Sequence, residues 1–313
     1  VTARWGYSPI GGRPAGRWPD GSRLAVTVCV GVESYRFDDG LTEDVLPGVP
    51  APDLVNRAWR DYGNRVGAFR LFARLAALGV RPAVLLNTDV YDEAPEVVAA
   101  ARAAGAEIVG HGRSNSDTLA GRSRGDERSY LASVRDRIAA AEGTPPGGWS
   151  SPWLTHTPQT VDLLAETGYR YLLDLRLDDQ PVWLRTGSDP LLAIPYAAEL
   201  NDSSTMIGRQ AGPVEFARMI EDEGAELLAE AAERPLVMSV VLHSFITGVP
   251  FRLRPVAEAL GRVLALPGVR ATTPADIHAA VLADPTLAAG DPRDTATPSR
   301  PVAAATPTEG ARP

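Results

Sequence analysis

One run, RLAVTVCVGVE at Arg23–Glu33, restricts the fold more than any other stretch. Its apolar, β-branched residues do not alternate with polar ones, so the strand it predicts is buried on both faces, as in a parallel sheet. Such a strand needs covering helices, and the chain supplies them in turn. VGAFRLFARLAALGV has apolar residues at helical spacing, RPAVLLNTD is the next strand, and APEVVAAARAAGA is the next helix. Further strands are expected in AEIVGHG, GGWSSPW (a weak one), YRYLLDL, LLAIPYA, PLVMSVVLHS and the start of VRATTPADIHAAVL. Helices fall between them, and TPQTVDLLAETG carries a threonine N-cap signal and a glycine stop. The rhythm persists without a composition break over residues 23–288, which predicts one α/β domain closed, or nearly closed, into a barrel. An open doubly wound sheet is the alternative. Residues 1–22, rich in Gly, Pro and Arg, read as an arm wrapped on this domain. Residues 289–313, rich in Pro, Ala and Thr, have few large apolar groups and are expected to be disordered.

Charge and composition exclude several functions. The formal net charge is -8 and no basic cluster offsets it, so nucleic acid is not an expected partner. All 31 basic residues are arginines, which rules out a lysine Schiff base and a P-loop lysine. Cys29 is the only cysteine and lies in the apolar run, so it reads as a buried hydrophobe; an internal disulfide and a cysteine-rich zinc site are excluded. No GxGxxG opens a helix after the first strand, which leaves a dinucleotide site without support. No apolar run reaches the ~18 residues of a membrane span, and the first residues lack a signal-peptide core. A cytoplasmic protein acting on a small molecule, without a membrane partner, is the expectation.

In parallel β/α barrels the reactive groups lie at the C-terminal ends of the strands. Here those ends carry Glu33 with Ser34 and Tyr35, then Asn87 with Thr88 and Asp89, then His111. Trp149, Ser150, Ser151 and Trp153 follow, then Asp174 with Asp178 and Asp179, then Tyr196 with Glu199, Asn201 and Asp202, and finally His243. Gathering imidazoles and carboxylates at one rim is costly unless they pair, bind metal or react, so this rim is the candidate site. His156, beside a helix start, and His278, in the last helix, read as structural or exposed. Asp178 and Asp179 read equally well as a solvated turn. Arg65, in WRDYGNRVG, either binds a substrate carboxylate or carbonyl or braces a loop.

Taken in order, RWPDGSRLAVTVCVGVESY, WRDYGNRVGAFRL, EIVGHGRSNSDTL, GWSSPWLTHTPQTVDLLAETGYRYLLD, DDQPVW, IPYAAELND and LHSFITGVPFRLRP resemble the polysaccharide deacetylase (NodB-like, carbohydrate esterase 4) superfamily. Within it they look most like the branch of metal-independent allantoinase and related cyclic-amide hydrolases. The resemblance runs from about Arg17 to Ala280. It implies a distorted (β/α) barrel of about seven parallel strands. Metal-dependent members carry an aspartate pair after the first strand, where this chain has Gly31, Val32 and Glu33. They carry two histidines four residues apart after the third strand; here His111 is kept and Asn115 holds the second position. Ser150 or Ser151 stands where the family usually has an arginine, and His243 matches its late acid.

The implied activity is hydrolysis of a non-peptide C–N bond in a small molecule, a cyclic amide, ureide or N-acyl group. Glu33, His111 and His243 are the expected catalytic residues: Glu33 or His111 takes a proton from water, and His243 protonates the leaving nitrogen. Tyr35, Arg65, Asn87, Asn115, Trp149, Trp153, Asp174 and Tyr196 are the expected substrate contacts, with Asn115 and Trp149 holding the carbonyl oxygen and Trp183 adding to the wall. No cofactor is expected. A metal-dependent N-deacetylase with zinc on Glu33 and His111 is one alternative. Others are a cyclisation, dehydration or isomerisation on the same rim, or a non-catalytic ligand-binding barrel. Related proteins often assemble, which adds a homo-oligomer to the expectations.

Overall fold

The structure, a computed structural model, describes residues 4–293. The strands are β1 (Leu24–Val32), β2 (Ala83–Leu86), β3 (Glu107–Gly110), β4 (Gly148–Trp149), β5 (Tyr171–Leu172), β6 (Val182–Leu184), β7 (Leu191–Ala193), β8 (Leu236–His243) and β9 (Val269–Thr272). They form one sheet in the order β6-β7-β5-β4-β3-β2-β1-β8, with β9 paired to β1. Every residue of β1 is buried, as its unbroken apolar run requires. β8 pairs along β1 from Leu24 to Gly31, while β9 joins the lower half of β1 and β2 the upper half. These pairings are parallel, and only β6 and β7 run antiparallel. The sheet curls into a barrel that stays open between β8 and the β6–β7 pair. Loops span that seam: Val237 N–H donates to the Asp179 carbonyl at 2.9 Å, and Val241 N–H to the Leu200 carbonyl at 2.8 Å.

The expected strands lie where the apolar runs placed them, and most helices match as well. β6 was not expected. It forms a hairpin with β7 through LRTGSDP, and its three residues are too few to show a period. The helix expected in TPQTVDLLAETG is Thr160–Glu166; its N-cap position is Gln159, with no side-chain cap. The nearby threonines instead bond each other, with Thr157 N–H donating to Thr160 Oγ1 at 2.8 Å.

The arm is tied down at several points. Trp18 is buried in the main core and its indole N–H donates to the Leu236 carbonyl at 3.1 Å. Arg4 pairs with Asp162 at 2.7 Å, and Arg13 pairs with Asp178. Of the expected tail at 289–313, residues 294–313 lie outside the described residues.

Two π-turns flank the rim, Gly63–Gly67 and Ser203–Gly208. Such turns insert one residue into a helical course and often occur at functional sites. Gly67 and Gly248 pack backbone to backbone beneath the first of them. A Cβ on Gly67 would collide with the Ser244 carbonyl oxygen, which explains why glycine stands there.

Candidate active site

Glu33 directly follows β1, His111 directly follows β3, and His243 is the last residue of β8. Because β3, β2, β1 and β8 lie in sequence across the sheet, the three side chains meet at one rim. All three are buried. Glu33 Oε1 lies 3.3 Å from His243 Nε2 and 3.6 Å from His111 Nε2. Gly31 makes room for this: a Cβ there would sit 2.7 Å from His243 Cδ2 and 3.1 Å from Glu33 Oε1. The other carboxylate oxygen accepts the Tyr35 hydroxyl at 2.6 Å, and that hydroxyl accepts from Asn115 Nδ2 at 3.0 Å.

The two imidazoles are held differently. His111 Nδ1 lies 2.8 Å from the Ser150 carbonyl oxygen. A carbonyl only accepts, so Nδ1 carries the hydrogen, and a neutral ring has its lone pair on Nε2. His243 Nδ1 lies 2.6 Å from Asp202 Oδ1. Asp202 is itself fixed by the His243 N–H at 2.8 Å and the Thr247 hydroxyl at 2.5 Å. Burial alone would discharge His243, but Glu33 and Asp202 outweigh it and raise its pKa well above the usual imidazole value. Burial likewise opposes the charge on Glu33. The His243 charge and the contacts from both rings win, and hold its carboxyl far below the usual carboxylate range. The electrostatics favour an ionised Glu33 beside a charged His243, and His111 Nε2 faces the same carboxylate oxygen.

These groups open onto a cavity of about 180 Å³. Asn115, Trp153 and Tyr196 line it, together with Ser151, Leu154, Asn201, Ser203 and Ser204. Burial raises the Tyr196 phenol pKa well above its usual value, so its hydroxyl keeps its proton. Trp153 and Leu154 both have positive φ, 58° and 53°, a costly conformation for large side chains that turns both toward the cavity mouth. The Trp153 indole N–H donates to the Asn115 carbonyl at 2.6 Å.

Other expected contacts lie elsewhere. Asn87 is fully buried and bonds the chain on both sides, accepting from Ser34 N–H at 2.9 Å and donating to the His111 carbonyl. Trp149 packs in the core with its N–H on Ser151 Oγ at 2.8 Å, so it is not placed to hold a carbonyl oxygen. Asp174 accepts from Ser151 N–H at 2.8 Å and pairs with His156 at 2.7 Å, bracing the loop after β4. Arg65 is exposed on the first π-turn and does not line the cavity. Trp183 is in the core. His278 is buried rather than exposed, tilted against Tyr171 with centroids 5.4 Å apart.

Sequence reasoning gave no part to two residues that matter here. Asp202 was visible only as one polar residue of a loop; its link to His243 crosses the open seam of the barrel. Glu43 lines the cavity from the loop after β1, where no periodic pattern marks it. A larger hollow of about 590 Å³ lies between the arm and the loop after β5. Its Arg13 and Asp178 already pair with each other, so it is not the candidate site.

A deacetylase-type zinc centre does not fit these residues. Among the described residues no group of three or more His, Cys, Asp or Glu side chains is arranged to hold a metal ion. Asn115, at the second-histidine position, offers an amide oxygen, a weaker ligand for zinc than the imidazole it replaces.

Comparison of the sequence with protein-family models and with curated proteins finds no match. Solved structures do match. The chain has the NodB-like barrel fold seen in two enzymes of the polysaccharide deacetylase and allantoinase kind. PuuE allantoinase superposes with a TM-score of 0.79 at 23% identity, covering 90% of this chain and 98% of that one. A probable polysaccharide deacetylase from Pseudomonas aeruginosa PAO1 superposes with a TM-score of 0.76 at 24% identity, covering 87% and 95%. At this identity the likeness establishes the fold.

Proposed function

We propose that the protein hydrolyses a non-peptide C–N bond of a small molecule, a cyclic amide or ureide or an N-acyl group, without a metal ion. The observation that carries this is the pair of imidazoles whose Nε2 atoms lie 3.3 and 3.6 Å from Glu33 Oε1, His243 backed by the Asp202 carboxylate and His111 by the Ser150 carbonyl. His111 Nε2 takes a proton from a water molecule, and the oxygen attacks the amide carbon. Glu33 stabilises the imidazolium formed on His111. His243 Nε2–H gives its proton to the leaving nitrogen, the C–N bond breaks, and a carboxylic or carbamic acid and an amine are released. The Tyr196 hydroxyl and the second amide hydrogen of Asn115 are the donors available to the developing oxyanion. This places Glu33 as a counter-ion between the two rings and gives the basic role to His111. A cavity of about 180 Å³ suits a small molecule better than a polymer chain. The fold shared with PuuE allantoinase supports the reaction class.

A panel of cyclic amides, ureides and N-acyl amines, assayed by product release, tests the proposal. Turnover of at least one member should fall by ~10²–10⁴ in His111→Gln and in His243→Gln. Turnover that survives both substitutions contradicts it.

A further inference from the structure

Glu43 has no part in the proton transfers above, yet it is held in place. Ser203 Oγ donates to its Oε1 at 2.6 Å. Arg60 fixes the loop through the Glu43 carbonyl at 2.7 Å and the Asp44 carboxylate at 2.8 Å. Among the described residues lining the cavity there are two carboxylates and no arginine, in a chain whose strong bases are all arginine. Glu33 is matched by His243. Glu43 is bonded to a hydroxyl and, among the described residues, to no cation. A second acceptor is also waiting: Asn115 Oδ1, in the cavity wall, is buried without a donor. The aromatic residues Trp153 and Tyr196 complete the wall, and aromatic faces attract cations.

An anionic substrate would meet two carboxylates here, of which only Glu33 is paired with a cationic side chain, His243. A group rich in N–H donors and positively charged would satisfy every one of these features. We propose that the substrate carries a cationic nitrogen group, an ammonium, amidinium or guanidinium, received by Glu43 and Asn115 Oδ1 between Trp153 and Tyr196. This names the substrate class for the hydrolase reading and rests on it only in taking this cavity as the substrate's.

Binding should be coupled to a proton. Partial burial, then the nearby Glu33 and Asp202, push the Glu43 carboxyl up to about 7, against His243 and the Ser203 hydroxyl. The charged and titratable groups around it are Glu33 and Tyr35 from the end of β1, His243 from β8, Asp202 before the second π-turn, and Arg60 behind its backbone. A cation favours the ionised carboxyl, so it expels a proton and binds more tightly as pH rises.

The test is to titrate methylguanidinium and its neutral isostere N-methylurea into the full chain, followed by ligand-observed NMR. Methylguanidinium should bind at least about tenfold more tightly, and its affinity should fall about tenfold from pH ~8 to pH ~6. The preference should fall to near parity in Glu43→Gln and persist in part in Glu43→Asp. Circular dichroism checks that each variant folds; if Glu43→Gln does not, the pH dependence of the wild type decides. No binding of methylguanidinium, equal binding of both probes, or a preference that survives in folded Glu43→Gln overturns the proposal. Neither probe has to react. Cation preference without amide turnover therefore counts against the hydrolase reading alone, and turnover without cation preference counts against this subsite alone.

Discussion

Glu33 is shared by two imidazoles, and what distinguishes them is what each holds on its far side. His111 rests on a neutral carbonyl, and His243 rests on the Asp202 carboxylate. In the proposed mechanism Asp202 is a positioning residue that favours the charged form of His243. The sign of its effect follows from the direction of the shift. His243 is raised, so its stabilising charge pairs are fully present below the unfolded imidazole value and fade as pH rises through the folded one. Glu33 is depressed, so its share is present above the unfolded carboxylate value and fades as pH falls. Asp202→Asn removes one of the two charges that raise His243. The alkaline limb of the pH–rate profile should move to lower pH in that variant, with a smaller change near pH ~6. A uniform loss of rate with an unmoved limb would mean that Asp202 acts only through packing. Glu33 and His243 stand out in the sequence because each ends a long apolar strand, and His111 because the short run EIVG turns polar at it. Asn87, Trp149 and Asp174 end strands too, but their polar atoms serve neighbouring chain segments, and strand position alone cannot tell those uses apart.

At the scale of elements, long apolar runs were readable on their own, whereas short strands were placed only by their position in the rhythm and the three-residue β6 was missed. β1 and β8 carry nine and eight buried residues, enough to fix their character. β4 and β5 have two residues each and owe their pairing to neighbours. The π-turns left no clear pattern either. WRDYGNRVG reads as a polar lead-in to the helix of VGAFRL, yet the chain is already helical over Leu54–Tyr62, and in the π-turn Gly63–Gly67 that follows Asn64 donates to the Glu33 carbonyl at 2.8 Å. The turn depends on close backbone approach at Gly67 and Gly248. Gly67→Ala should destabilise the fold by ~1–3 kcal/mol through overpacking against the Ser244 carbonyl. Chemical denaturation measures this, and an unchanged midpoint would show that the two segments can separate freely.

For the whole molecule, the alternation of apolar runs with helical spacing was enough to reach a nearly closed β/α barrel. What it could not give was the seam. There β8 faces loops rather than a strand, and the loop at Leu200–Asp202 bonds directly to β8 through Val241 and His243. That crossing brings Asp202 to His243 and Ser203 to Glu43, so the parts of the site least visible in the sequence are those assembled across the gap. The same barrel is found in PuuE allantoinase and in a probable polysaccharide deacetylase, and a fold does not by itself fix chemistry. The central claim is that Glu33, His111 and His243 act as an acid–base set and not as metal ligands. The most direct test measures turnover of a hydrolysed amide and metal content on the same sample, before and after chelation. The account predicts full turnover with far less than one metal ion per chain. A stoichiometric metal ion whose removal abolishes turnover and whose return restores it would contradict it.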